Sequence, residues 1–248
     1  MDPIHQFEVT NYFVFAHIGG AELAFTRSAL FMLISLALIA LLMIGATGSR
    51  AMVPGRLQSV AEGTYEFVAS MLENAAGPEA MKFFPLVFSI FMFVLAVNLI
   101  GLIPYAFAVT AQIIITVSLA LLVFLTVIVY GLRHNGVRFF RLFVPSGAPV
   151  YILPLLVPIE VLSFFTRPVS HSLRLFANIL AGHITLKVFA GFVTMLSAFG
   201  FLGWAGAILP LSMTVALTAL ELLVAVLQAY VFAILTCIYL KDAIHPGH

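Results

Sequence analysis

Ser172-Leu173-Arg174-Leu175-Phe176-Ala177-Asn178-Ile179-Leu180-Ala181-Gly182-His183 lies inside an apolar run that extends from about Val150 to Ala198, and its reading decides the fold. A guanidinium stays protonated at any physiological pH. At mid-bilayer it costs at least ~2.5–3.5 kcal/mol on insertion scales. In a chain that is 63% hydrophobic and only 8% charged, an arginine in such a place points to ion movement. The bland alternative is a structural pair between Arg174 and Glu221 that ties two helices together.

Outward from that stretch, the 248 residues divide into five apolar segments. They run about Phe25–Ala46, Phe83–Ile103, Val109–Leu132, Val150–Ala198 and Trp204–Leu240. A helix needs ~20 residues to cross a hydrocarbon core of ~30 Å, so the first three read as simple spans. The last two are too long to stand upright, and tilt is the expected outcome. The expectation is an all-α membrane protein in one polytopic domain. It has about five membrane helices and one amphipathic surface helix, and the last two helices form a long, strongly inclined hairpin. The expected layout is an outer segment over 1–24, a first span over 25–47 and a surface helix over 57–76. A helical hairpin follows over 83–132, then the inclined hairpin over 150–240, joined near Gly200–Gly206 with Trp204 at the headgroup boundary. Pro154, Pro158 and Pro168 are positions where the fourth segment bends or breaks.

Residues Leu57–Ala76 carry Leu57, Val60, Ala61, Phe67, Val68, Met71 and Leu72 on one side and Glu62, Glu66 and Glu73 on the other. That period is helical with one wet face. An acidic wet face is wrong for attraction to anionic lipid. The segment reads either as a helix lying on the membrane or against a partner subunit, or as a solvated linker.

Charge placement gives orientation. Arg50, Arg56, Lys82, Arg133, Arg138, Arg141 and Lys241 fall on one side if the chain crosses five times. The positive-inside rule then puts the N-terminus outside and the C-terminus in the cytoplasm. Other classes drop out. A net charge of +1 gives no nucleic-acid reading, and the single Cys237 allows no intramolecular disulfide or cysteine metal cluster. No phosphate-binding Gly-x-x-x-x-Gly-Lys-Ser/Thr run occurs, so no nucleotide, metal or cofactor is expected on this chain. The start carries no Lys or Arg before its apolar run and does not read as a cleaved signal peptide.

At ~100° per residue, Glu160, Arg167, His171, Arg174 and Asn178 share one stripe of the fourth segment, with His183 on the opposite face. In the last segment Thr214, Glu221 and Gln228 recur every seven residues on a common face. Along the chain's path Glu160 falls toward the cytoplasm from Arg174, and His183 and Glu221 fall toward the outside. Two wet pockets with a fixed cation between them are the minimum for two offset proton paths. Each residue also has a structural reading. Glu160 fits an interfacial carboxylate near a helix start. His183 and His171 fit hydrogen-bonded packing residues. Asn178 and Gln228 fit interhelical hydrogen bonding, and Arg167 and Lys187 fit snorkelling or pairing.

Pro168-Val-Ser-His-Ser-Leu-Arg-Leu-Phe-Ala-Asn-Ile-Leu-Ala-Gly-His183 and Glu221-Leu-Leu-Val-Ala-Val-Leu-Gln-Ala-Tyr-Val-Phe232 resemble the signatures of subunit a of F-type ATP synthases. Asn98-Leu-Ile-Gly-Leu-Ile-Pro104 is similar to that family's pattern in the earlier hairpin. The resemblance covers essentially the whole chain. It implies that Arg174 faces a rotating ring of c subunits and separates an entry from an exit half-channel. It implies that His183 and Glu221 line the outer half-channel, in the order found in mitochondria and their bacterial relatives. Asn178 and Gln228 fall at polar positions beside the arginine, and Glu160 at the inner half-channel carboxylate. Peripheral-stalk b-type subunits and membrane lipid are the other implied partners. The implied location is a bacterial inner membrane, with the mitochondrial inner membrane as second choice, and the chain is implied to do no ATP chemistry. Two rival classes are a stand-alone antiporter, which needs internal repeats, and a scaffold subunit whose buried charges are structural.

Overall fold

A computed structural model describes residues 11–18, 21–47, 55–103, 106–144 and 151–245. Arg50, Pro104 and the start of the fourth segment at Val150 lie outside the described residues. The chain is a helical membrane protein. Its helices are α1 (Arg27–Thr47), α2 (Arg56–Ala76), α3 (Phe84–Gly101), α4 (Ile113–Asn135), α5 (Leu153–Ser197) and α6 (Gly200–Ile244). Short 3-10 turns at Pro78–Phe83, Val109–Ala111 and Gly136–Phe143 join some of them. Five helical stretches are long and apolar enough to span a membrane: Arg27–Ala46, Pro78–Gly101, Ile113–Phe143, Leu153–Ser197 and Gly203–Ile244.

One element has no counterpart in the sequence reading. Strands β1 (Asn11–Ile18) and β2 (Ala21–Thr26) pair antiparallel, with Asn11 opposite Thr26 and Ile18 opposite Ala21. The signal was available. Tyr12, Phe13, Val14 and Phe15 are strong strand formers, and Gly19-Gly20 stands between the two runs.

Helices α5 and α6 are each 45 residues long. At ~1.5 Å per residue each contour is roughly 67 Å, about twice a hydrocarbon core of ~30 Å. Pro158 and Pro168 stay inside α5, and Pro210 inside α6, without ending the helix. Each removes one ladder hydrogen bond, and helices in a membrane tolerate that when neighbouring groups re-satisfy the backbone. The turn between α5 and α6 falls at Ala198–Phe199, ahead of the expected Gly200–Gly206. Gly200 takes φ +73°, the left-handed geometry that closes a helix, so α6 begins there and Trp204 already belongs to it. A side chain at Gly203 would strike the Leu196 carbonyl, so only glycine allows this turn.

The fold divides into two compact units. The first comprises the described residues of Met1–Ile39, Phe93–Gln112 and Leu175–Gln228. Its organising polar residue is Asn98, 2% exposed, whose amide donates to the Ala225 carbonyl (3.3 Å) and accepts from the Thr110 hydroxyl (2.9 Å). These bonds hold α3, α6 and the 3-10 turn together. They give a structural reason for the asparagine in the Asn98–Pro104 pattern, since an unmade bond at a buried amide is expensive. Ala108, Ala111 and Ile179 form an apolar cluster in the same unit, and the Arg27 guanidinium lies over the Phe31 and Phe107 rings at 6.0 and 5.6 Å.

The second unit comprises the described residues of Ala40–Met92, Ile113–Arg174 and Ala229–His248. Here α2 buries Val68, Met71, Leu72 and Ala76, the helical-period face expected of it. Glu62, Glu66 and Glu73 are exposed. The apolar stripe is only half covered, however, because Leu57 and Val60 are 61% and 54% exposed. Phe67 meets Phe91 and Tyr230 at 5.8 and 5.9 Å, and Tyr65 meets Phe84 at 4.5 Å. Lys82 donates to the Tyr130 hydroxyl, and the Phe139 ring fills the space a side chain would need at Gly131. Arg56, Lys82, Arg133, Arg138, Arg141 and Lys241 are all exposed.

Candidate functional site: two polar neighbourhoods

The second unit holds an ion cluster on α5 and the end of α6. Arg167 donates to Asp242 at 2.5 Å, with Glu160 3.9 Å from the same guanidinium. The side chains of Glu160, Arg167 and Asp242 are 31%, 23% and 27% exposed, so the cluster is partly wet. The guanidinium also lies 5.3 Å over the Tyr239 ring and 5.6 Å over the Phe164 ring. Asp242 lines a cleft of about 630 Å³ with Ala75, Ile238, Lys241 and His245. This carboxylate therefore faces open space on one side and the Arg167–Glu160 pair on the other.

Asp242 is the residue the sequence reading missed. The seven-residue series Thr214, Glu221, Gln228 continues in phase to Asp242, fourteen residues past Gln228. Its position just beyond the apolar limit at Leu240 made it look like tail.

His171 and Arg174 belong to the same unit but differ sharply in exposure. His171 is 4% exposed, with its ring centroid 3.8 Å from Phe232 and 6.0 Å from Tyr239. Arg174 is exposed, and among the described residues it makes no hydrogen bond or ion pair.

The first unit holds the other neighbourhood. Asn178 donates to Gln228 at 3.2 Å, linking α5 to α6. The Glu221 carboxylate lies against Gly182: a Cβ there would collide with Oε1 and come 3.0 Å from Cδ. Glycine is therefore what lets the acid reach α5. Both Glu221 oxygens are shielded and accept no hydrogen bond. His183, next to Gly182, brings Nε2 to 4.0 Å from where a Cβ on Gly101 would stand. Lys187, one turn on, is close enough for its charge to act on the His183 ring. Among the described residues neither Arg174 nor Glu221 carries the ion pair that a structural tie between them requires. No group of His, Cys, Asp and Glu suited to holding a metal occurs among the described residues.

The five spanning helices and the ionisable side chains gathered within them define a class: a polytopic helical membrane protein with internal charge, the usual mark of ion pathways. The family described as ATP synthase A chain matches residues 29–241. Three proteins called ATP synthase subunit a are similar along their whole length. One from Rhodopseudomonas palustris is 66% identical over 247 residues, covering 100% of this chain and 99% of that protein. One from Nitrobacter winogradskyi is 65% identical over 248 residues, with 100% of both covered. One from Afipia carboxidovorans is 65% identical over 247 residues, with 100% of this chain and 99% of that protein covered. The chain belongs to the ATP synthase subunit a family, in agreement with the motif resemblance.

Proposed function

We propose that this chain is the stator-side proton-conducting subunit of a rotary ATP synthase in a bacterial inner membrane, with its N-terminus outside and C-terminus in the cytoplasm. The carrying observation is an exposed Arg174 in an apolar span that pairs with no acid among the described residues, in a chain of this family. A cation without an acid partner among the described residues suits a partner carboxylate arriving from outside. A ring of c subunits supplies one such acid after another. His183, Glu221, Asn178 and Gln228 serve the outer half-channel and the approach to the arginine. Glu160, with Arg167 beside it, serves the inner one, and Arg174 keeps protons from passing directly between the two. Lys187 tunes the outer path through His183. Each charge crossing releases ~2.3 kcal/mol per 100 mV, and the ring turns because its acids meet the two paths at different angles. The titratable imidazole of His183 favours H⁺ over Na⁺. Catalysis on ATP belongs to other subunits, and b-type stalk subunits hold this one against rotation. The half-covered apolar stripe of α2 suits such a stator contact or lipid.

Ring contact is tested by cross-linking. Ala177 is exposed near Arg174 in sequence, and the native Cys237 is fully buried. Ala177→Cys in the assembled synthase, paired with cysteines on the outer helix of the ring subunit, is expected to give an a–c product on mild oxidation. An intact complex that yields no such product at any ring position would overturn the reading.

Gly182→Ala probes the outer acid. The added methyl displaces the flexible Glu221 head group and spares the backbone. Assembly is expected to stay normal while ATP-driven proton pumping falls roughly tenfold, within the ~10²-fold that an ångström of misplacement can cost. Unchanged pumping would show that the Glu221 position against Gly182 does not matter.

A further inference from the structure

The 3-10 turn Gly136–Phe143, which follows α4 in the second unit, has three distinct faces. Such a helix has three residues per turn, so side chains three apart share a face. Gly136, Phe139 and Leu142 form the first. Phe139 is 3% exposed, and its ring sits against Gly131 and 6.3 Å from the Phe164 ring. This face packs the turn onto its own unit. Val137, Phe140 and Phe143 form the second. Phe143 meets Phe164 at 5.4 Å, but Val137 and Phe140 are 85% and 57% exposed. Arg138 and Arg141 form the third, and both are exposed. An open apolar face thus lies beside a basic one, at the end of the membrane-spanning stretch Ile113–Phe143.

The charge around this turn has one sign. No Asp or Glu occurs between Lys82 and Glu160. Arg133 and His134 stand in the last turn of α4. Lys82 lies 4.6 Å over the Tyr130 ring, which stacks on His134 at 5.3 Å. Among the described residues Lys82, Arg133, Arg138 and Arg141 form no ion pair. An acidic protein segment would satisfy the two arginines of the turn but leave Val137 and Phe140 in water. A bilayer surface satisfies both faces at once. Its acyl chains take the apolar side, and its phosphates match the planar guanidinium forks.

We propose that the Gly136–Phe143 turn is a binding site for anionic phospholipid, with Val137 and Phe140 among the acyl chains and Arg138 and Arg141 on the headgroup phosphates. Attachment to a membrane surface is firm when an apolar and a basic signal act together, and this turn carries one on each open face. Phe139, held against Gly131, ties the turn to α4. Lipid held there therefore sets the depth at which that helix leaves the bilayer.

The intact synthase in proteoliposomes tests this, with photoreactive phosphatidylglycerol or photoreactive phosphatidylcholine present at equal mole fraction and the labelled peptides mapped by mass spectrometry. A basic side chain at an anionic surface contributes about a fivefold preference. The peptide carrying Val137–Phe143 is therefore expected to take at least about tenfold more label from phosphatidylglycerol. Arg138→Gln combined with Arg141→Gln should bring the two lipids to within about twofold. Lysine at both positions keeps the charge and should keep most of the preference, and Arg56→Gln, on α2, should leave it unchanged. Phe140→Ser should lower the label from both lipids alike, because it removes depth and not charge. Equal labelling by the two lipids in the unaltered protein would overturn the proposal, as would a preference that survives the double glutamine variant. A turn that neither lipid labels, and that cross-links to another subunit instead, would show a protein occupant and overturn it too. The readout is lipid contact, so it stands or falls apart from the proton-channel reading.

Discussion

Arg174→Ala is expected to abolish proton-driven ATP synthesis while leaving the synthase assembled. In its own chain Arg174 is exposed and makes no hydrogen bond or ion pair among the described residues. Truncation therefore strands no partner, and its effect on the stability of the chain should stay within the ~0.5 kcal/mol usual for surface sites. A scaffold role predicts the opposite, lost assembly. Passive conduction gives a second, opposite sign. With the fixed charge gone, the electrostatic barrier between the two paths falls, so membranes stripped of the catalytic head should leak more protons than wild type. Arg174→Lys keeps the charge but loses the planar fork that matches a carboxylate; it should block the leak yet fail to restore full synthesis. Synthesis assays, a proton-leak assay and quantification of co-purified ring measure all of this. A variant that makes ATP at the wild-type rate would refute the reading.

How much of this was legible beforehand follows from the physics of each signal. Apolar length is additive along the sequence, so the five spans and the overlong last pair could be read directly. The helical period of Leu57–Ala76 gave α2 and its buried Val68, Met71 and Leu72. The N-terminal hairpin was missed because 1–24 reads only as an outer segment until the strand-forming Tyr12–Phe15 run and the Gly19-Gly20 turn are weighed together. Sequence spacing put Glu160, Arg167, His171 and Arg174 on one stripe, but a stripe does not say what lies opposite. That is why Asp242 as the partner of Arg167 escaped notice, and why His171 and Arg174 looked alike. In the fold one is enclosed by Phe232 and Tyr239 and the other is open. The role of Gly182 was equally invisible, because it depends on a carboxylate thirty-nine positions further along the chain.

Glu221→Gln should reduce proton-driven synthesis by roughly 10²-fold, the lower end of what a positioned proton-transfer group contributes. The substitution keeps the shape of the side chain and removes only its ability to bind and release a proton. Both oxygens lack hydrogen-bond partners in the fold, so the amide breaks no existing bond. Its neutrality also removes a shielded carboxylate, whose burial is unfavourable when it is charged. Stability should therefore hold or rise as transport falls, and that inverse pairing separates a transport acid from a structural one. Passive conduction should fall in parallel with synthesis, because the block is at entry and not at the ring. Combined with Arg174→Ala, Glu221→Gln should suppress the leak of the single arginine variant, since a leak that uses both paths needs the outer one open. Measured together, thermal stability of the complex, synthesis rate and leak test the assignment from three sides. Wild-type transport in Glu221→Gln, or a leak in the double variant as large as in Arg174→Ala alone, would remove Glu221 from the outer path and leave its burial beside Gly182 without a functional account.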